Sequence, residues 1–315
     1  MNLIGSVRAI RVLSEVAAHG SFSAAGAALG LTQSAVSQHV AALERETGLP
    51  LVQRGTRPVE LTDAGHVLTR HGRALAARLE AAEHDLAEVA GRRSGRLRLG
   101  AFPTALSSFV PPALARLRAE QPAAVFTVVD DHMPGLLTRL VDGEFDLAVV
   151  FDHGTPERIG PERVRRTHLF DDAFRAVLPA GHRLARRRAA PTLADLADET
   201  WIGGQAGSVW FGIVRDACRA AGFEPRTALA SDDYRAVQAF VAAGLGVSVI
   251  PGLAVVNPTP GIEVRVLRTA SPVRRISAAQ LDDGVPRPVV QAMITALRAT
   301  TRGLSQRARA APRPA

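Results

Sequence analysis

Apolar positions Val7, Ile10, Leu13 and Ala17 recur at helical spacing, and His19-Gly20 ends the pattern. Ser21 and Ser23 offer capping oxygens to a short second helix, Ala24 to Leu29, built mostly of Ala and Gly. Gly30 breaks that helix. Thr32 then caps a third helix that runs to about Thr47, stopped by Gly48 and Pro50. Within it Val36, Val40 and Leu43 form a core face. Gln33, Ser34, Ser37 and Gln38 lie at the N-terminal end of the opposite face. Two apolar stretches around Gly55-Thr56-Arg57-Pro58 then read as a β-hairpin, residues 49–61.

The next pattern is longer. Leu68, Gly72, Leu75, Leu79, Ala82, Leu86 and Val89 alternate four and three apart across a proline-free segment, residues 62–90. This heptad seam predicts one long helix that needs a partner helix, and a second copy of the chain is the economical partner. Leu68, Leu75, Leu79 and Leu86 are the dimerisation candidates.

From residue 95 the pattern changes again. Strand-like runs at 97–101, 125–129 and 145–150 alternate with helix-like runs at 106–120 and 133–142, which predicts a parallel sheet with crossover helices. Strands at 174–178, 200–203, 227–230 and 246–250, with helices at 209–221 and 233–243, repeat the theme. A strand at 274–280 and a helix at 287–301 follow. Residues 303–315, rich in Arg, Ala and Pro, read as a disordered tail.

Chemistry follows from this layout. A helix that presents Gln33, Ser34, Ser37 and Gln38 at its N-terminal end, behind a short small-residue helix, suits the major groove of double-stranded DNA. Glutamine pairs with adenine, and serine donates or accepts. Exposed Gln and Ser also suit any solvated face; the flanking helix and hairpin favour the DNA reading. Arg54 and Arg57 on the hairpin, with Ser21, Ser23 and Thr32, complete the candidate DNA contacts. Bulk charge adds little. The net charge is +8, yet residues 1–93 hold 10 arginines against 9 acids. Residues 158–188 are richer, with 9 arginines against 3 acids, and have no assigned role.

Ligands of open α/β sheets sit at the carboxyl ends of strands. Those ends here are Phe102, Pro103 and Thr104; Asp130; Phe151 and Asp152; Gly203 and Gln205; and Asp232. Thr104 opens a predicted helix, so a carboxylate bound to its free amides is one expectation. Asp130 and Asp152 would instead favour a cation.

Ser21-Phe22-Ser23-Ala24-Ala25, Leu31 to Gln38, Leu43-Glu44, Gly48-Leu49-Pro50-Leu51, Arg54 and Leu61-Thr62-Asp63-Ala64-Gly65 together resemble the LysR-type transcriptional regulators. Residues 140–148 and 241–251 resemble the effector half of the same family. Ser34, Gln38 and Val52 stand where family members often carry Pro, Arg and Phe, which leaves the operator sequence open. The resemblance implies a multidomain protein. Its N-terminal part, 3–61, is an all-α winged helix-turn-helix, and 62–90 is a linker helix. Residues 95–302 form an α/β, two-lobed, periplasmic-binding-protein-like effector domain. Lobe I spans about 95–168 and 269–302, and lobe II about 169–268. It further implies a sequence-specific transcriptional regulator controlled by a small-molecule effector, dimeric or tetrameric, with RNA polymerase as a candidate partner.

Several classes are disfavoured. No apolar run of membrane-spanning length is present. The N-terminus does not read as a secretory signal, so a cytoplasmic location is expected. The single cysteine, Cys218, cannot form an internal disulfide. No metal-ligand spacing, phosphate loop or nucleophile elbow is found, so neither enzyme activity, metal nor cofactor is expected. A small-molecule binding or transport component, and an architectural DNA binder without a ligand, are the rival readings.

Overall fold

The computed structural model describes residues 6–53, 55, 58–89, 95–153, 163–269, 271–284 and 287–309. The chain divides into two compact units, residues 1–98 with 138–146, and residues 99–137 with 147–315.

The first unit begins with α1 (Val7–His19), α2 (Phe22–Leu29) and α3 (Gln33–Thr47). The termini follow from local chemistry. Gly20, Gly30 and Gly48 each adopt the left-handed conformation that ends a helix. Ser21 Oγ accepts from Ala24 N at 3.4 Å, and Thr32 Oγ1 accepts from Ala35 N at 3.2 Å. Ser23 lies inside α2, exposed, and caps nothing. Ile10, Leu13, Val16, Val36, Val40 and Leu43 close a small core with Leu51 and Leu61. Gly26 makes that packing close, since a Cβ there would stand 2.7 Å from Leu31 O.

The hairpin is minimal: one antiparallel bridge, Val52 to Leu61, supported by Gln53 N donating to Glu60 O at 2.8 Å. Arg54, Thr56 and Arg57 lie outside the described residues. Thr62 Oγ1 accepts from Gly65 N at 3.1 Å and opens α4 (Asp63–Val89), the expected long helix.

Its seam divides in two. Leu68 is buried in the core of its own head, and a Cβ at Gly72 would overlap the Ile10 side chain of α1. Leu68 is therefore corrected from a partner-facing residue to a head-core residue, and Gly72 serves the α1–α4 approach. Leu75, Leu79 and Leu86 are 42%, 56% and 67% exposed, so the unpartnered part of the seam starts at Leu75.

The chain from residue 96 onward is built on a mixed sheet. Its elements are β1 (Arg96–Ala101), α5 (Pro103–Leu106), α6 (Val110–Glu120), β2 (Val125–Asp130), α7 (Gly135–Val141), β3 (Leu147–His153) and β4 (Val164–Pro179). They continue with β5 (Thr200–Gly203), α8 (Val209–Ala220), β6 (Arg226–Ala230), α9 (Tyr234–Ala242), β7 (Ser248–Pro251), β8 (Ile262–Val266), β9 (Val273–Leu281) and α10 (Pro288–Arg309). The order is β2-β1-β3-β9-β4-β7, with β8 also on β4, and β5-β6 form a separate parallel pair.

Four expectations change here. The sheet is not parallel throughout: β1 and β3 are parallel, but β9 runs antiparallel to both β3 and β4. The helix expected over 106–120 starts later, at Val110, because Pro111 and Pro112 fit only a first turn; Leu106 instead ends α5. The tail expected to be disordered from 303 continues α10 to Arg309, while 310–315 lie outside the described residues.

The largest change is β4, a strand of 16 residues where only 174–178 was expected. Its first half is too polar to show a strand pattern. Cross-strand ion pairs stand in for apolar burial, Asp152 with Arg166 and Asp172 with Arg274. This first half pairs with β9, and the second half pairs with β7 and β8. One strand thus serves both lobes.

Candidate functional site

On the head, Thr32, Gln33, Ser34, Ser37 and Gln38 are all exposed at the start of α3. Val36, Val40 and Leu43 on the reverse face are buried. Thr32 and Ser34 hydroxyls stand 3.0 Å apart, so the first turn is ordered by its own side chains. Gln33, Ser37 and Gln38 are left as neutral donors and acceptors facing outward. Ser21 is a cap and half-buried; Ser23 is exposed one turn along α2.

The second unit holds a cavity of about 350 Å³ at the carboxyl ends of β1 and β3. Its lining includes the expected Phe102, Pro103, Thr104, Phe151 and Asp232, with His132, Met133, Pro134, Gly207, Ser208, Val209, Trp210, Tyr234 and Arg274 beside them. Residues from both lobes line it. The other four candidates do not. Asp130 is exposed at the end of β2, and Asp152 is held by Arg166. Gly203 packs against Thr227, and Gln205 gives its backbone N to Asp232 Oδ1 at 3.1 Å.

Thr104 works differently from expectation. The helix it was expected to open is α5, only four residues long, and the N–H groups of Ala105 and Leu106 both donate to Phe102 O. Thr104 contributes its hydroxyl, 5% exposed as a residue, which accepts from Arg274 Nη2 at 3.1 Å.

Arg274 is the centre of the cavity floor and was missed by the sequence reading. It is 3% exposed. Nη2 and Nε both donate to Asp172 Oδ2, at 2.6 and 3.2 Å. Asp172 Oδ1 in turn accepts from Leu253 N at 3.1 Å. The guanidinium lies over Phe102 and Phe151, 5.1 and 4.9 Å from their ring centroids. Trp210 and Tyr234 form a second aromatic pair with centroids 4.9 Å apart, and Trp210 Nε1 donates to Val249 O at 3.0 Å. Burial pushes the Tyr234 hydroxyl up to about 12, so it stays neutral at physiological pH.

Nothing local marks these residues. Arg274 sits in an Arg-Arg pair, and Tyr234 is the only tyrosine in the chain. Only the pairing of β9 with β3 and β4 places Arg274 against Phe102 and beside Asp172.

Cys218 lies elsewhere, fully buried in the lobe II core, with its thiol pushed up to about 12 first by burial and then by Glu224. Among the described residues no group of His, Cys, Asp and Glu could hold a metal ion, and no helix is long and apolar enough to cross a membrane.

A helix-turn-helix head with a winged hairpin, joined to a two-lobed α/β domain with a cavity at its strand ends, defines a ligand-responsive DNA-binding protein. The chain belongs to the LysR family of transcriptional regulators. The family model for the lysR-family bacterial regulatory helix-turn-helix protein matches residues 7–66, and that for the LysR substrate binding domain matches residues 90–302. A curated relative from Mycobacterium avium, a "Probable hydrogen peroxide-inducible genes activator", is 35% identical over 256 residues, covering 79% of each chain. A full-length OxyR cysteine variant from Pseudomonas aeruginosa superposes with TM-score 0.67 at 24% identity, covering 93% of this chain and 97% of that one. Full-length CbnR complexed with its target DNA superposes with TM-score 0.67 at 23% identity, covering 95% and 100%. This chain is a LysR-type transcriptional regulator with a DNA-binding helix-turn-helix and an effector-binding domain.

Proposed function

We propose that this regulator is switched by reversible binding of a small molecule in the cavity floored by Arg274, and that it works in the cytoplasm without catalytic turnover, metal or cofactor. The observation that carries the reading is the cavity itself. It is concave, carries the aromatic rings of Phe102, Phe151, Trp210 and Tyr234, and is lined by residues of both lobes with a few buried polar groups. A ligand there touches both lobes and shifts their arrangement by its differential affinity for the two states.

Gln33, Ser34, Ser37 and Gln38, with Arg54 and Arg57 of the hairpin, are assigned to the operator. The exposed seam of Leu75, Leu79 and Leu86 is assigned to a second copy, and pairs of dimers give a tetramer. RNA polymerase is the partner that an activator of this kind would recruit.

The Mycobacterium avium relative is named a probable activator of hydrogen peroxide-inducible genes. The chemistry here favours a bound effector over thiol oxidation. An internal disulfide needs two thiols and the chain has one, Cys218, which is buried and protonated. The test is a binding titration against the intergenic region beside its own gene. Saturable, selective binding that weakens in Gln33→Ala and Arg54→Ala is expected. Peroxide treatment should leave that binding unchanged. Binding that ignores sequence would remove the operator assignment, and a peroxide response abolished by Cys218→Ala would remove the ligand-only switch.

A further inference from the structure

The guanidinium at the cavity floor is only partly used. A guanidinium carries five donor hydrogens in one plane. Nε and Nη2 of Arg274 are committed to Asp172 and Thr104, and among the described residues nothing accepts from Nη1. The Arg274 guanidinium carbon sits over the edge-to-face pair of Phe102 and Phe151, both to one side of it, and the residue borders the cavity.

The groups around it are also donors. Thr104 Oγ1 already accepts from Arg274, and Ser208 Oγ already accepts from Phe211 N at 3.1 Å, so each keeps its proton to give. Val209 and Trp210 begin α8, where first-turn N–H groups have no partner within the helix. The formal charges of Arg274 and Asp172 cancel. Asp232 and His132, the acceptors of the lining, are exposed at the rim. The deep wall is therefore rich in donors and has no net negative charge, which is the complement of an anion with an apolar body.

We infer that the effector is a small, flat carboxylate or similar oxyanion whose anionic group takes the free donors of Arg274 together with Thr104 and Ser208. Its apolar body packs against Phe102, Phe151, Trp210 and Tyr234. This rests on the reading of the cavity as the effector site. Arg274 is then the residue that selects for charge, and the Asp172 pair keeps it buried in the absence of ligand.

Three probes of one shape and different charge test this: phenylacetate, 2-phenylethanol and phenethylamine, titrated calorimetrically into the full-length protein and into Arg274→Lys. Lysine keeps a cation beside Asp172 but removes the planar fork. The expected result is binding of phenylacetate about tenfold tighter than the other two, the effect of one charge-assisted hydrogen bond. That preference should disappear in Arg274→Lys, with an unchanged far-UV circular dichroism spectrum as the control for folding. Equal binding of acid and alcohol, or an acid preference that survives Arg274→Lys, overturns the oxyanion assignment and leaves the cavity reading in place. No binding of any probe overturns both.

Discussion

The head and the cavity solve the problem of recognition in opposite ways. The head presents a convex surface made by one short run of chain, Thr32 to Gln38, on a helix whose caps are local. The cavity is concave, and its polar floor joins Thr104, Asp172 and Arg274, which are 170 positions apart at the extreme. The head's reading surface is made of neutral amides and hydroxyls that water can satisfy. The cavity floor holds a full ion pair that is almost wholly buried. A surface of the first kind tolerates change in its contacts without loss of fold. A floor of the second kind does not, because its recognition group is also a structural group.

The sharpest way to break this contrast is Asp172→Ala. It leaves Arg274 buried without its counter-charge and should destabilise the effector unit by about 3–5 kcal/mol. Urea unfolding followed by tryptophan fluorescence reads it directly, since Trp201 and Trp210 are the only tryptophans and both lie in lobe II. A shift under 1 kcal/mol (~, well below the buried-pair range) would show that the pair is hydrated.

Leu43→Ala comes next. Leu43 is fully buried in the head, so the change should cost about 3 kcal/mol there and abolish operator binding. The tryptophan-reported transition should not move; if it does, the two units share their stability.

A third experiment sharpens the effector-domain side. Burial raises the Cys218 thiol from 9.0 to about 12 and the Tyr234 hydroxyl from 10.0 to about 12. The folded state holds these protons more tightly than the unfolded chain. Their contribution is intact below the unfolded values and is lost as pH rises from about 9 through about 12. Alkaline unfolding of the effector unit should flatten in Cys218→Ala. A thiol reagent should likewise leave the native protein unlabelled and label it after denaturation.

The smallest effect belongs to the head. Thr32→Ala removes the α3 cap and should cost about 1 kcal/mol. Operator affinity should fall by less than Gln33→Ala produces; the reverse order would make Thr32 a base or phosphate contact.

The same contrast explains what could be read from sequence. Head elements announce themselves because Ser21, Gly30, Thr32 and Gly48 act within a few residues of where they sit. Phe102, Thr104 and Phe151 were legible as strand ends. Arg274 and Tyr234 were not, because their role exists only once β9 and α9 are placed. The polar half of β4 was illegible for a related reason. Its Arg and Asp residues look solvated until the partner strands bring their counter-charges. Leu68 misled in the opposite sense: a regular seam does not say which of its members a helix spends on its own domain.

Consider finally the strand shared by the lobes. β4 is paired from end to end apart from one register shift, first with β9 and then with β7 and β8. The lobes are therefore joined by woven backbone, not by a string. Any change in their angle bends a ribbon that resists and recoils, as a leaf spring does. The compliant place is the register shift between His168 and Phe170, where the ladder is already broken. Such a joint limits travel and resets by itself when the load is removed, so the receiver keeps no memory of the last molecule it held.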